Sequence, residues 1–189
     1  MRAFAFIAVL PGLALLQPAL PAQEGQAPVQ VYDTKADARA DIAAALAKAG
    51  EENQRVLIQW GGNWCGWCVK LNDILTKDQD LGHELLYEYQ VVHVDVGQFD
   101  KNLDLAAQYG ARIQDGVPFL TVLGADGKVL ANQETGGFEV DGRHDPKKLL
   151  EFLKGYRAAP WKAEELLQNA LARAAKEEKQ VLLMFGAPW

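Results

Sequence analysis

Val56-Leu57-Ile58-Gln59-Trp60-Gly61-Gly62-Asn63-Trp64-Cys65-Gly66-Trp67-Cys68 is the stretch on which the reading of this chain turns. Val56 to Trp60 is a short apolar run bounded by polar residues on one side and by Gly61-Gly62 on the other. That is the pattern of a buried strand running into a tight loop. The loop delivers both cysteines of the chain, and Val69-Lys70-Leu71 can continue it as a helix. Cys65 then occupies a helix N-terminus, where unpaired N–H groups and the helix dipole favour an anion and lower a thiol pKa. Cys68 falls one turn into the same helix and is expected to be less exposed. A bridge across so short a loop removes little entropy from the unfolded chain, so it is a poor staple and a plausible redox switch.

Other chemistries share the Cys-x-x-Cys spacing. Haem attachment needs a histidine next, and position 69 is valine. A zinc site needs two further ligands, and His83, His93 and His144 show no ligand spacing with one another. No metal and no cofactor are therefore expected.

Outward from the motif, Val29 to Tyr32 reads as a first strand and Lys35 to Lys48 as an amphipathic helix ending at Gly50. Leu81 to Tyr89 extends the helical material, and Val91 to Val96 is β-branched and strand-like. Leu103 to Tyr109 is helical up to Gly110. Gly116-Val117-Pro118 leads into a strand, Phe119 to Leu123, and Ala125-Asp126-Gly127 signals a hairpin before Lys128-Val129-Leu130. Asp145-Pro146 opens a last helix with Asp145 as its N-cap. The order βαβαβαββα implies an α/β fold, a mixed sheet with helices on both faces.

The chain resembles the thioredoxin-fold proteins, in particular exported bacterial thioredoxin-family and disulfide-interchange proteins, over about residues 29 to 157. Three features carry the resemblance: Trp64-Cys65-Gly66-Trp67-Cys68 after its strand, Val92-His93-Val94-Asp95-Val96, and Gly116-Val117-Pro118-Phe119. Asp100-Lys101-Asn102-Leu103-Asp104 followed by Tyr109-Gly110 also looks like exported members. The resemblance implies a thioredoxin-like fold with Val92 to Val96 as its central strand. It implies Cys65 as nucleophile and Cys68 as the cysteine that resolves the mixed disulfide. It also implies a cis Pro118 beside the dithiol, with Val117 offering backbone groups to an extended substrate strand.

Two departures stand out. Thioredoxin has a buried aspartate six residues before its first cysteine, where this chain has Gln59, and a neutral amide cannot take a proton. Trp67 stands in place of the proline between the cysteines and brings no cation to steady a thiolate. Of the nearby indoles, Trp60 reads as core, while Trp64 and Trp67 are candidate contacts for partner proteins.

The ends of the chain carry separate signals. Met1-Arg2, the apolar run Ala3 to Leu16 and a small residue at Ala22 describe a secretory signal peptide, residues 1–22, so the product is expected to be periplasmic or secreted. A membrane anchor would need about 20 apolar residues without an internal proline, and no stable membrane span is expected once the signal is removed. Residues 23–157 form the thioredoxin-like domain. Residues 158–189 repeat the opening of that domain: Ala163 aligns with Ala38 without a gap, and Val181 to Trp189 lies over Val56 to Trp64 with valine, leucine, glycine and tryptophan in register. The tail is expected to be the start of a second, similar unit, with a strand at Val181 to Phe185. A C-terminal helix and strand added to the first domain is the alternative.

The chain is 49% hydrophobic and 23% charged, which favours a packed core over disorder. Its net charge of -6 argues against nucleic acid, which requires a basic face. The expected activity is thiol–disulfide exchange on proteins carrying thiols or disulfides, recharged by a separate redox partner. Two alternatives stay open: a non-catalytic thioredoxin-fold module that binds partner proteins, and a structural domain with a permanently closed bridge.

Overall fold

The structure, a computed structural model, describes residues 30–186. The proposed signal peptide, Val29 and Trp189 lie outside the described residues. The elements run α1 (Ala38–Glu52), β1 (Arg55–Gly61), α2 (Gly66–Lys77), α3 (Gln79–Glu88), β2 (Tyr89–Asp95) and α4 (Leu103–Gln108). They continue with β3 (Phe119–Leu123), β4 (Val129–Glu134), β5 (Glu139–Val140), β6 (Arg143–His144), α5 (Pro146–Gly155) and α6 (Ala163–Glu177).

The main sheet has the order β2-β1-β3-β4, with β1 parallel to β2 and antiparallel to β3. The sheet is mixed, as expected. Strand β1 is buried on both faces because its side chains alternate between two cores. Val56, Ile58 and Trp60 join Ala38, Ile42 and Ala49 of α1 and Leu105 of α4. Leu57 points the other way, to Leu71 and Leu75 of α2, Leu81 of α3, and Leu149 and Leu153 of α5. Gln59 shares that second face and is buried too. Thus β1 holds its C-terminal end, and the cysteine loop after it, at the centre of the molecule.

Several elements differ from the sequence expectation. No strand forms at residues 30–32. The N–H groups of Val31 and Tyr32 donate to Asn63 Oδ1 at 2.9 and 3.0 Å, so a side chain takes the place of a neighbouring strand. As a consequence β2, expected at the centre, is the edge of this sheet among the described residues, where it pairs with β1. Helix α1 runs through Gly50 and ends where Asn53 adopts a left-handed conformation (φ 57°), which asparagine tolerates. Asp78, with its side chain accepting from Asp80 and Leu81 N–H, starts α3 as a separate helix, and Tyr89 already belongs to β2. The small β5–β6 hairpin turns at Asp141-Gly142, both with positive φ, a turn signal present in the sequence.

The end of the domain is tied back to its body. Glu84, 2% exposed in its side chain, pairs with Arg157, and Arg55 Nε donates to the Tyr156 carbonyl at 3.1 Å. Beyond this, α6 buries none of its residues. Residues 181–186 adopt no regular structure, and Leu182 and Phe185 are exposed. The strand expected there is absent for a physical reason. Its counterpart β1 has both edges paired, whereas an apolar run without a neighbouring strand leaves its N–H and C=O groups to water.

Candidate active site

Cys65 is the N-cap of α2, with extended φ and ψ of -85° and 102°, and its Sγ accepts from the Cys68 N–H at 3.1 Å. The two cysteines are joined as a disulfide. Cys65 is 7% exposed and Cys68 0%, so the outer sulfur is the one a partner can reach. The N-terminus of α2 places about half a positive charge beside that sulfur. On reduction this favours thiolate at Cys65, the form that attacks disulfides. The pair is thereby equipped for thiol–disulfide exchange.

Facing it is the loop before β3. The Val117–Pro118 bond is cis, and the Val117 carbonyl oxygen lies 3.6 Å from Cys65 Sγ. Thr135, just after β4, holds this loop through its hydroxyl, which donates to the Pro118 carbonyl at 2.8 Å. Val117 is half-buried and Pro118 buried. A cleft of about 190 Å³ opens beside them, bordered by Arg112, Gly116, Val117, Pro118 and Glu134.

The indoles take different roles. Trp60 is core and donates to Thr121 Oγ1 at 2.9 Å. Trp64 is 46% exposed, donates to the Gly97 carbonyl and meets Phe99 edge-on at 5.6 Å. Gly62 lies beneath it, and a Cβ there would stand 2.6 Å from Trp64 Nε1, so a larger residue would displace the indole. Trp67 is half-buried between Lys70, whose Nζ lies 4.7 Å above the ring, and His144, whose ring meets it edge-on at 5.2 Å. Burial holds the His144 imidazole below its ordinary pKa. Among the described residues no cluster of three or more histidine, cysteine, aspartate or glutamate side chains has the arrangement to hold a metal ion.

The family model for thioredoxin-like proteins matches residues 37–125. A disulphide isomerase from Xylella fastidiosa Temecula1 is 34% identical, and the match covers 98% of its chain and 68% of this one with a TM-score of 0.61. The chain belongs to the thioredoxin-like family. The disulfide bond reductase DsbH of Chlamydia pneumoniae is 30% identical over 109 residues, which are 53% of this chain and 62% of that protein.

The sequence singled out Cys65, Cys68, Trp64, Trp67, Val117 and Pro118; Trp67 and Val117 pack against the cysteine pair, Pro118 follows Val117 through the cis bond, and Trp64 turns outward to Gly97 and Phe99. Sequence reasoning missed Tyr32, Asn63, Phe99, Thr135 and His144. Tyr32 packs directly against the cysteines, yet its neighbours Val29 to Val31 disguised it as part of a strand. Phe99 and Thr135 reach the site only through tertiary turns and carried no local signal.

Proposed function

We propose that this chain is an exported thiol–disulfide oxidoreductase acting on protein substrates. One observation carries the reading: a reachable Cys65 at a helix N-terminus, bridged to a buried Cys68 and facing the Val117 carbonyl. Starting from the dithiol, the Cys65 thiolate attacks one sulfur of a substrate disulfide and expels the other as a thiolate. Cys68, losing its proton, then attacks Cys65 Sγ. The Cys65–Cys68 bond re-forms and the second substrate sulfur leaves. Two electrons pass to the substrate, its two thiolates take up protons, and a separate redox partner must return the electrons. Run backwards, the same steps oxidise a substrate dithiol. Val117 offers its backbone to an extended substrate strand beside Pro118, and Trp64 and Trp67 are the candidate contacts for the client protein.

The disulfide-handling relatives support this reading, and the chain spans about 62% of the length of the DsbH relative. The n-region, apolar run and Ala22 support export and a periplasmic or secreted location. No helix among the described residues is long and apolar enough to cross a membrane. Residues 158–189 are the opening of a second thioredoxin-like repeat. In support, α6 and α1 are both 15 residues long and in register, and each ends in a left-handed residue, Glu178 and Asn53. Ala163, Leu167, Ala170, Leu171 and Ala174 of α6 align with Ala38, Ile42, Ala45, Leu46 and Ala49, the face that α1 packs against the sheet.

Replacing Cys68 by serine tests the activity. The Cys68→Ser variant should accumulate covalent adducts with client proteins through Cys65, released by a reducing agent. Clients held only without a covalent bond would indicate a binding module instead.

A further inference from the structure

Tyr32 is 1% exposed and forms one small cluster with Cys65 and Cys68. Its placement is built by the active-site loop itself. Asn63, two residues before Cys65, accepts from the N–H groups of Val31 and Tyr32 and donates through Nδ2 to the Tyr32 carbonyl at 2.8 Å. The phenol oxygen accepts from Gln59 Nε2 at 2.8 Å, and the same Nε2 donates to the Cys68 carbonyl at 3.1 Å. A Cβ on Gly61 would lie 2.5 Å from Tyr32 Oη and 2.7 Å from Cys68 Sγ. Hydroxyl and resolving sulfur therefore both press into the small space that a side chain at position 61 would need.

This arrangement bears on the resolving step. Gln59 cannot accept the Cys68 proton as a base, and a buried thiol resists ionisation. The geometry points to Tyr32 as the hydrogen-bond donor that stabilises the Cys68 sulfur as a thiolate. Gln59 fixes the phenol by donating to its oxygen, which leaves the O–H proton to be directed at the sulfur. Burial pushes the Tyr32 phenol above its ordinary pKa, so it keeps its proton and donates rather than titrates. The balance is simple: Cys68 gives its proton to solvent, its sulfur forms the bond to Cys65 Sγ, and the substrate thiolate leaves and is protonated by water. Tyr32 loses nothing.

The other titratable or charged groups around this cluster are few. His93 of β2 meets the Tyr32 ring edge-on at 5.6 Å and is held below its ordinary pKa by burial. Asp95 of β2 pairs with Lys101 at 3.0 Å. Lys70 of α2 lies on the outer side of Trp67. None is bonded to the Cys68 sulfur among the described residues.

The proposal rests on the redox reading of Cys65 and Cys68, and one experiment separates the two. Reduced protein is mixed with dithiobis(nitrobenzoic acid) in a stopped-flow instrument. Attack by Cys65 releases one coloured thiolate, and attack by Cys68 on the mixed disulfide releases a second. In Tyr32→Phe the ratio of second to first rate should fall about tenfold at neutral pH, the worth of one hydrogen bond to a charged group. The midpoint of the second step should rise by about 1 pH unit. A ratio and midpoint equal to those of the wild type would show that Tyr32 only fills space. Should Tyr32→Phe fail to fold, a fluorotyrosine placed at position 32 decides. As a stronger donor it should lower the midpoint, and an unmoved midpoint overturns the proposal. A wild-type chain that gives no second release would sink the redox reading, and this proposal with it.

Discussion

Asn63 holds Tyr32 by both ends of its amide: Oδ1 accepts from the Tyr32 N–H at 3.0 Å while Nδ2 donates to the Tyr32 carbonyl at 2.8 Å. A third bond, from Val31 N–H to the same Oδ1, completes the clamp. Removing the amide leaves these partly buried backbone groups unpaired. Asn63→Ala should therefore cost about 1–3 kcal/mol in urea unfolding. Asn63→Asp keeps the acceptor but sets a carboxylate oxygen against the Tyr32 carbonyl, so it should destabilise the protein as well. A stability equal to that of the wild type in either variant would contradict the clamp.

Gly61 ends β1 where the phenol and the Cys68 sulfur converge. A methyl group there overlaps both, and neither is the free end of a flexible surface chain. Gly61→Ala should destabilise the protein by about 1–3 kcal/mol, read as a lower denaturant midpoint. A neutral effect would mean that the space is larger than the structure shows.

Glu84 is buried beneath its partner Arg157. Truncating the partner strands a carboxylate, which in a fully buried pair costs about 3–5 kcal/mol. Arg157 keeps part of its contact with water, so Arg157→Ala should fall near about 3 kcal/mol, the low end of that range. Removing both charges in Glu84→Gln/Arg157→Ala should recover part of the loss. Chemical denaturation of the three variants checks the ordering.

Burial holds His93 below its ordinary pKa. The unfolded chain takes up that proton near pH 6.5 while the folded chain does not. Stability from this group is thus complete above about pH 6.5 and is lost as the pH falls through it. His144 acts in the same sense. In urea titrations at about pH 7.5 and pH 5, His93→Gln should lose less stability on acidification than the wild type. An equal loss would contradict the assignment.

How much was legible in the sequence follows from how local each signal was. Strand β1, the cysteines at the start of α2 and the loop at Pro118 were readable, because an apolar run, paired glycines and a spacing of cysteines are short-range patterns. Asp145 capping α5 was readable for the same reason. Tyr32 was not: the letters Val29 to Tyr32 suit a strand, and what overrides them is a bond from Asn63, 31 residues away. Gly50 looked like a stop, yet the left-handed residue that ends α1 is Asn53. Val181 to Phe185 repeats the pattern of β1 without the strands that pair with it, and pairing is what makes such a run a strand.

The central claim is that Cys65 and Cys68 form a working redox pair, and its reduction potential tests that most directly. Tryptophan fluorescence, followed through a glutathione and dithiol series, reports the state of a bridge whose two cysteines each directly follow a tryptophan, Trp64 and Trp67. The helix N-terminus at Cys65 favours the reduced thiolate, so a reversible midpoint between about -270 and -120 mV is predicted. A bridge that stays closed below about -300 mV behaves as a structural disulfide and would contradict the account.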